Sequence, residues 1–131
     1  MMNEREGAMT IGDVKDILEA KVLVGGDRMD EPVVTACGSD LMSDVLAFVK
    51  DRTVLITGLI NPHVVRTSEM LDITCIVFSR GKQPSEEILE EAEESGITVM
   101  STRMTTYTAC GELYVHGLPG TKERSGKKEE A

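Results

Sequence analysis

The sequence predicts a single α/β domain with a mainly parallel sheet and helices on both of its faces. After residue 32, short β-branched runs alternate with segments whose apolar residues repeat at helical spacing. The connections between these segments are a few residues long, as in consecutive β-α-β units. The run T-C-I-V-F at 74–78 is the most continuous apolar stretch, which indicates a strand covered on both faces.

Three short elements come first. A helix over 11–18 is predicted because Thr10 and Asp13 stand in the positions of a capping box. The run K-V-L-V at 21–24 indicates a short strand that ends at a pair of glycines. The run V-V-T-A-C at 33–37 follows a proline and indicates a second strand.

The middle of the chain continues the alternation. An amphipathic helix is predicted over 40–49, where apolar residues recur at helical spacing. The run T-V-L-I-T at 53–57 indicates the next strand. Asn61 and Pro62 then begin a helix that runs to Leu71, because proline is tolerated in a first turn, where its missing N–H has no helical partner.

The last part of the predicted domain holds two helices and one strand. Ser85 is the expected N-cap of a helix over 86–95, whose six glutamates face outward. The run I-T-V-M-S at 97–101 indicates the last strand, and Thr105 or Thr106 begins a final helix.

The chain of 131 residues is long enough for one hydrophobic core and requires no second domain. We expect that domain over residues 10–118. Residues 1–9 lack any pattern and are expected to form a loose leader. Residues 119–131 are polar and lack periodicity, so we expect a disordered, charged tail.

Charge and composition exclude several classes of partner. The formal charge of the chain is −9, and the part before Pro119 carries −10 because the tail from Pro119 holds four basic and three acidic residues. Such a body repels phosphate backbones, so we expect no nucleic-acid partner. No apolar run approaches the roughly 20 residues that span a bilayer, so we expect no membrane partner.

The cysteines indicate the redox compartment. Cys37, Cys75 and Cys110 are odd in number and widely spaced, in a chain without an apolar leader behind a basic start. We therefore expect reduced thiols and a cytoplasmic location.

The predicted topology also selects a binding site. In an open parallel sheet, ligands bind beyond the carboxyl ends of the strands, where loops and helix N-termini meet. This rule points to the loops at 38–40, 57–61, 79–82 and 101–106, which together could receive a small anionic or nucleotide-like ligand. The candidate binding residues in these loops are Gly38, Ser39, Asp40, Thr57, Gly58, Asn61, Arg80, Gly81, Thr102, Arg103 and Thr106.

Ser39 and Asp40 have a second interpretation, as the N-cap of the helix at 40–49. An aspartate N-cap brings its own negative charge to the helix terminus and repels a phosphate there, so we expect capping first and ligand contact second. The threonines at 102 and 106 have the same alternative as caps.

Arg80 is the strongest single candidate for an anion contact, because its planar guanidinium follows the most buried strand. Arg103 holds the corresponding place after the last strand. The alternative for Arg80 and Lys82 is that both are solvated loop charges. A shared pocket for Arg80 and Arg103 would favour a phosphate or carboxylate site.

We predict no catalytic set, no metal site and no cofactor. The chain contains no G-x-x-x-x-G-K-[S/T] phosphate-binding loop, and G-T-K-E-R-S-G-K-K in the tail has five residues between its glycines. There is neither C-x-x-C nor H-x-x-x-H to suggest a metal centre. A thiol enzyme that uses Cys37 or Cys110 is the remaining catalytic alternative.

Five segments of the chain stand in a characteristic order and spacing. They are I-G-D-V-K-D-I-L, C-G-S-D-L-M-S-D-V-L, V-L-I-T-G with N-P-H-V-V, R-G-K-Q-P-S-E-E-I-L-E-E-A-E-E-S-G-I-T-V-M-S-T, and Y-T-A-C-G-E-L-Y. Together they resemble the DRTGG domain family, in particular its small stand-alone members, and the resemblance runs from Thr10 to Leu118. It implies a fold similar to the N-terminal domain of HPr kinase/phosphorylase, and a regulatory or dimerising role without chemistry of its own.

The sequence therefore predicts a non-catalytic regulatory module that senses a small anionic or nucleotide-like ligand. The alternative is a protein-interaction or dimerisation adaptor, without a small ligand, that serves a larger metabolic enzyme or regulator. The resemblance implies a homodimer, and the apolar stripe of the helix at 40–49, with Leu59 and Ile60, is a candidate interface.

Overall fold

The computed structural model describes residues 8–49 and 52–120. The leader before residue 8 and the tail after residue 120 lie outside the described residues. The strands are β1 (Met9–Thr10), β2 (Lys21–Val24), β3 (Pro32–Val33), β4 (Thr35–Gly38), β5 (Thr53–Thr57), β6 (Ile73–Phe78) and β7 (Thr98–Ser101). The helices are α1 (Ile11–Leu18), α2 (Met42–Phe48), α3 (Pro62–Met70), α4 (Glu86–Ser95) and α5 (Thr106–Val115).

A five-stranded sheet in the order β2-β7-β6-β5-β4 forms the centre of the molecule. The strands from β4 to β7 are parallel and follow one another in chain order. β2 is antiparallel to β7, with Lys21 opposite Ser101. The predicted fold class, an α/β domain with a mainly parallel sheet, is confirmed.

Each face of the sheet is covered by its own helices. On one face, α1 and α5 pack on alternate strand residues that include Val54, Ile56 and Val77. On the other face, α2, α3 and α4 pack on the intervening residues, among them Leu55 and Ile76. Because successive strand side chains point to opposite faces, a strand between two helical layers is apolar throughout. This explains the uninterrupted apolar sequence of β6.

Most of the predicted helix starts are confirmed. Thr10 and Asp13 form the expected capping box of α1, with Thr10 Oγ1 accepting from the Asp13 amide at 3.1 Å. Asn61 caps α3 and Ser85 caps α4 through their side-chain oxygens. Thr105, one of the two predicted starts, is the N-cap of α5.

The segment predicted as one strand at 33–37 is divided in two. Val33 pairs with Met9 in a small antiparallel ladder, whereas β4 joins the main sheet. The division arises because Val34 turns its amide to the carbonyl of Arg52, at 2.9 Å. Met9, which we had assigned to the leader, therefore belongs to a strand.

The first residues of the predicted tail are also attached to the domain. The Ala36 amide donates to the Pro119 carbonyl at 3.0 Å, and Ala36 and Gly120 form a parallel bridge. Pro119 and Gly120 thus lie beside the edge strand β4.

Candidate functional site

The loops selected by topology do leave from one rim of the sheet. The strands β4, β5, β6 and β7 are parallel neighbours, so their carboxyl ends lie side by side. The loops at 38–40, 57–61, 79–82 and 101–106 continue from these ends. Hydrogen bonds between the loops decide which of their polar groups remain available to a ligand.

Asp40 links the end of β4 to the end of β5. Its Oδ1 accepts from the Thr57 hydroxyl at 2.9 Å and from the Gly58 amide at 2.7 Å. The Thr57 hydroxyl also accepts from the Leu59 amide at 3.1 Å. The carboxylate therefore fixes the first turn of the loop after β5, and bonds of this kind to a charged acceptor are among the stronger ones in proteins.

The expectation that Ser39 or Asp40 caps the following helix is wrong. The N-cap of α2 is Leu41, which has no side-chain capping bond. Ser39 Oγ accepts from the Leu41 amide at 3.0 Å in a local turn, and the Ser39 amide donates to Ile56. Asp40 is drawn away from the helix because two donors at the end of β5 lie within its reach.

The backbone around Arg80 ties the loop after β6 to the loop after β7. The Arg80 amide donates to the Met104 carbonyl and the Gly81 amide to the Thr102 carbonyl, both at 2.7 Å. Arg80 has a φ of 59°, in the left-handed region that side chains rarely adopt. The surrounding bonds hold this conformation, which often marks functional positions.

The side chain of Arg80 extends across the loop after β5. A β-carbon built on Gly58 would lie 2.7 Å from Nη1 and 2.9 Å from Nη2 of Arg80. The absence of a side chain at Gly58 therefore makes room for the guanidinium. Gly58 is thus held by Asp40 through its amide and contacted by Arg80 over its α-carbon.

Arg80 and Arg103 line the same pocket, which has a volume of about 580 Å³. We call it the basic pocket. Its third basic residue is Lys21, which sequence reasoning missed because only the antiparallel pairing of β2 with β7 brings it to this rim. The lining comprises Glu19, Lys21, Arg80, Gly81, Gln83, Ser101, Thr102 and Arg103.

In the part of the chain that the structure describes, no acidic side chain forms an ion pair with the basic side chains of this pocket. Among the described residues, the ion pairs join Lys15 to Asp16, Arg66 to Glu91 and His116 to Glu112. None of these pairs involves Lys21, Arg80 or Arg103. Glu19 is the one acidic residue in the lining, so the charged side chains of the pocket sum to a positive charge.

A comparison with protein families matches residues 13–114 to the DRTGG domain. The chain belongs to the DRTGG domain family. No curated protein matches the chain. The resemblance inferred from the order of the sequence segments is thereby confirmed.

Among solved structures, this DRTGG domain is similar to the crystal structure of the CBS and DRTGG domains of the regulatory region of Clostridium perfringens pyrophosphatase, complexed with the activator diadenosine tetraphosphate. The sequences are 20% identical, the TM-score is 0.69, and the match covers 95% of this chain. The chain spans 56% of the length of that structure. At this identity the likeness shows a shared fold.

Several predicted ligand residues of the DRTGG domain use their polar atoms inside the protein. Thr102 is buried, and its hydroxyl donates to the Leu18 carbonyl at 2.7 Å. Thr106 shares a hydrogen bond of 2.7 Å with Ser79. Asn61 accepts from the His63 amide at 2.8 Å as the cap of α3. Arg80, Gly81, Thr102 and Arg103 reach the basic pocket, whereas Gly38, Ser39, Asp40, Thr57, Gly58, Asn61 and Thr106 do not line it.

The cysteines of the DRTGG domain are all free thiols with raised pKa values. Burial raises the pKa of Cys75 far above its ordinary value, and burial also raises the pKa of Cys110. The pKa of Cys37 is raised by burial first, and then by the nearby Cys110 and Asp44. A raised pKa lowers the thiolate fraction at neutral pH, which is unfavourable for nucleophilic chemistry.

Within residues 8–49 and 52–120, no cluster of three or more His, Cys, Asp or Glu side chains is arranged to hold a metal ion. No helix in the same residues is long and apolar enough to cross a membrane.

Proposed function

We propose that this DRTGG domain is a non-catalytic regulatory module that senses a small phosphorylated or otherwise anionic ligand in the basic pocket. The observation that carries the proposal is the convergence of Lys21, Arg80 and Arg103 on one pocket without ion-pair partners among the described residues. In a chain of charge −9, such a concentration of positive charge is a local exception.

The volume and the charge of the pocket suit a small ligand with more than one negative charge. A volume of about 580 Å³ lies within the usual range for small-molecule sites. Guanidinium groups bind phosphate and carboxylate oxygens in pairs, and the lysine adds a compact charge. The Ser101 side chain is engaged with the Lys82 carbonyl at 3.1 Å, so recognition would rest mainly on the three cations.

The related structure from Clostridium perfringens supports the class of ligand. It was determined with diadenosine tetraphosphate, an activator that carries a chain of phosphates. A nucleotide-like or polyphosphate ligand offers the charge density that the basic pocket would recognise. We infer the chemistry of the ligand from the pocket and take the related structure as support.

A thermal-shift titration with inorganic triphosphate, nucleotides and acyl phosphates tests the proposal. A ligand of the native state at 100 times its Kd adds about 2.7 kcal/mol to the free energy of unfolding. We expect a clear rise in Tm for at least one multiply charged phosphate, and we expect it to persist at physiological ionic strength, where non-specific attraction is screened.

Two variants connect the shift to the pocket. Arg80→Gln and Arg103→Gln should each reduce the ligand-induced shift. Arg66→Gln removes an exposed arginine of α3 that pairs with Glu91 at 3.8 Å and does not line the basic pocket, so it should leave the shift unchanged. A shift that is equally large in all three variants, or no shift with any of the anions, would contradict the proposal.

The second candidate function is a homodimeric or adaptor module without a small ligand. Three exposed apolar side chains favour it: Leu41, the N-cap of α2, is 57% exposed, Leu46 of α2 is 47% exposed, and Ile60 in the loop before α3 is 38% exposed. Interaction surfaces are built from exposed apolar side chains of this kind. The mass of the protein in solution, measured by light scattering, tests this alternative. A dimer that Leu46→Glu converts to a monomer would support it, and a monomer at all concentrations would exclude the homodimer.

A further inference from the structure

The lining of the basic pocket is polar throughout. Three of its eight residues are basic, one is acidic, and the other four are glycine, glutamine, serine and threonine. Most small-molecule pockets are instead lined by aliphatic and aromatic side chains, with a few polar groups that fix the orientation of the ligand. A ligand in the basic pocket therefore meets charges and hydrogen-bonding groups rather than apolar surface.

The exposed aromatic rings lie in another part of the molecule. Tyr107 and Tyr114 of α5 are 89% and 71% exposed, and they line a separate groove beside β4. Two strands, β5 and β6, stand between β4 and β7 in the sheet. Phe78 is fully buried. None of the aromatic side chains that the structure describes lines the basic pocket, so a nucleobase in this pocket would have no ring to stack on.

The hydroxyl groups of the lining are already engaged within the protein. Thr102 Oγ1 donates to the Leu18 carbonyl at 2.7 Å and accepts from the Met104 amide at 3.2 Å. Ser101 Oγ donates to a backbone carbonyl of the loop after β6 at 3.1 Å. Gln83 is the remaining neutral polar side chain of the pocket. A ribose would therefore find few partners for its hydroxyl groups.

The basic residues stand on segments that are bonded to one another. Lys21 lies opposite Ser101, two residues before Arg103. The amides of Arg80 and Gly81 donate to carbonyls of the loop that carries Arg103, both at 2.7 Å. The backbone positions of the three cations are thus fixed before a ligand arrives, which lowers the entropic cost of binding.

We propose that the basic pocket binds its ligand through phosphate groups alone, and that this ligand is a compact condensed phosphate without a nucleoside. The inference rests on the proposed function, because it concerns the same pocket. A phosphate group carries up to two negative charges and three acceptor oxygens, and each guanidinium can pair with two of these oxygens. Glu19, the acidic residue of the lining, opposes the anion and lowers its affinity.

Calorimetric titration of the full chain with two triphosphate esters, at physiological ionic strength, tests the proposal. Methyl triphosphate and ATP carry the same phosphate chain and differ in the group that is attached to it. We expect their affinities to differ by less than about fivefold. Stacking of a base on a ring strengthens binding by about fivefold to more than a hundredfold, so a site for the nucleoside would be evident.

Two variants change the charge of the pocket in opposite directions. Glu19→Gln removes the acidic group and should strengthen the binding of both esters by about threefold, a gain that a misfolded variant cannot produce. Lys21→Gln should weaken the binding of both esters, and the ratio of the two affinities should stay as it is in the parent. Lys15→Gln is the control, because Lys15 pairs with Asp16 at 3.8 Å and does not line the basic pocket.

Three results would count against the proposal. ATP that binds fivefold or more tightly than methyl triphosphate would overturn this inference and leave the proposed function standing. Equal binding of both esters that neither Glu19→Gln nor Lys21→Gln changes would place the phosphates outside the basic pocket. No binding of either ester would overturn the proposed function, and this inference with it.

Discussion

The guanidinium group of Arg80 lies against Gly58, at the place where any other residue would carry its β-carbon. The two residues follow neighbouring strands, β6 and β5, and belong to different loops of the same rim. The position of the strongest anion-binding candidate therefore depends on a residue with no side chain of its own.

Gly58→Ala should weaken anion binding without unfolding the domain. The new methyl group would stand 2.7 Å from Nη1 of Arg80, so the guanidinium must move, and it can do so because it ends a flexible side chain. Gly58 does not have a positive φ, so the backbone accepts alanine. We expect affinity for inorganic triphosphate to fall about tenfold, or ~1.4 kcal/mol, by calorimetric titration.

A double-mutant cycle provides the control for this effect. Once Arg80→Ala has removed the guanidinium, Gly58→Ala should have little further effect on affinity, since contacting residues are not additive. Additive losses in the double variant would mean that Gly58 acts on binding by another route.

Asp40→Ala should lower the free energy of unfolding by about 1–3 kcal/mol, because the Gly58 amide and the Thr57 hydroxyl both lose their acceptor. Asp40→Asn retains an acceptor oxygen and should lower it less. Unfolding in urea gives the free energy of unfolding of each variant. Asp30→Ala is the control, because Asp30 is exposed and makes no side-chain hydrogen bond with the described residues; a loss as large as that of Asp40→Ala would refute the linking role.

Gly38→Ala should destabilise the domain because its methyl group would overlap the Cys110 sulfur. Overpacking of this kind costs roughly 1–3 kcal/mol. In the Cys110→Ala background the sulfur is absent, and the same change should cost much less. Gly111→Ala, where a β-carbon meets nothing within 4 Å, should instead stabilise α5 by up to about 1 kcal/mol. If Gly38→Ala lowers the free energy of unfolding equally in both backgrounds, the overlap with the Cys110 sulfur is not the cause.

Cys75 should make stability fall at alkaline pH. Burial raises its pKa in the folded state above the ordinary value of 9.0, so above that pH the unfolded chain loses a proton that the folded chain keeps. The contribution of the Cys75 thiol to the free energy of unfolding is fully present below pH 9.0. Above that pH it is lost by about 1.4 kcal/mol per pH unit.

Unfolding by urea between pH 8 and pH 10 separates this contribution from those of other groups. Cys75→Ala removes the thiol but leaves every lysine and tyrosine, so the pH slope of the variant should be shallower than that of the parent. Parallel slopes would show that Cys75 does not titrate differently in the folded and unfolded states.

The sequence by itself determined the five helices and the strands of the main sheet, with their order, but not the small ladder of β1 and β3. Helix periodicity, the capping box at Thr10 and the apolar run of β6 are local signals, and they give the helices and strands to within a few residues. Alternation of these elements then implies a parallel sheet, and a parallel sheet implies the rim where Arg80 and Arg103 meet.

Only the tertiary structure decided which groups at this rim are available. Local spacing predicts that Asp40 caps a helix. In the structure its carboxylate instead accepts hydrogen bonds from two donors seventeen and eighteen residues away in the chain. Lys21 joins the basic pocket through an antiparallel pairing that no short stretch of sequence encodes. The division follows from the range of the interactions: caps and periodicity act over a few neighbouring residues, whereas polar contacts between loops depend on the packed arrangement of the strands that carry them.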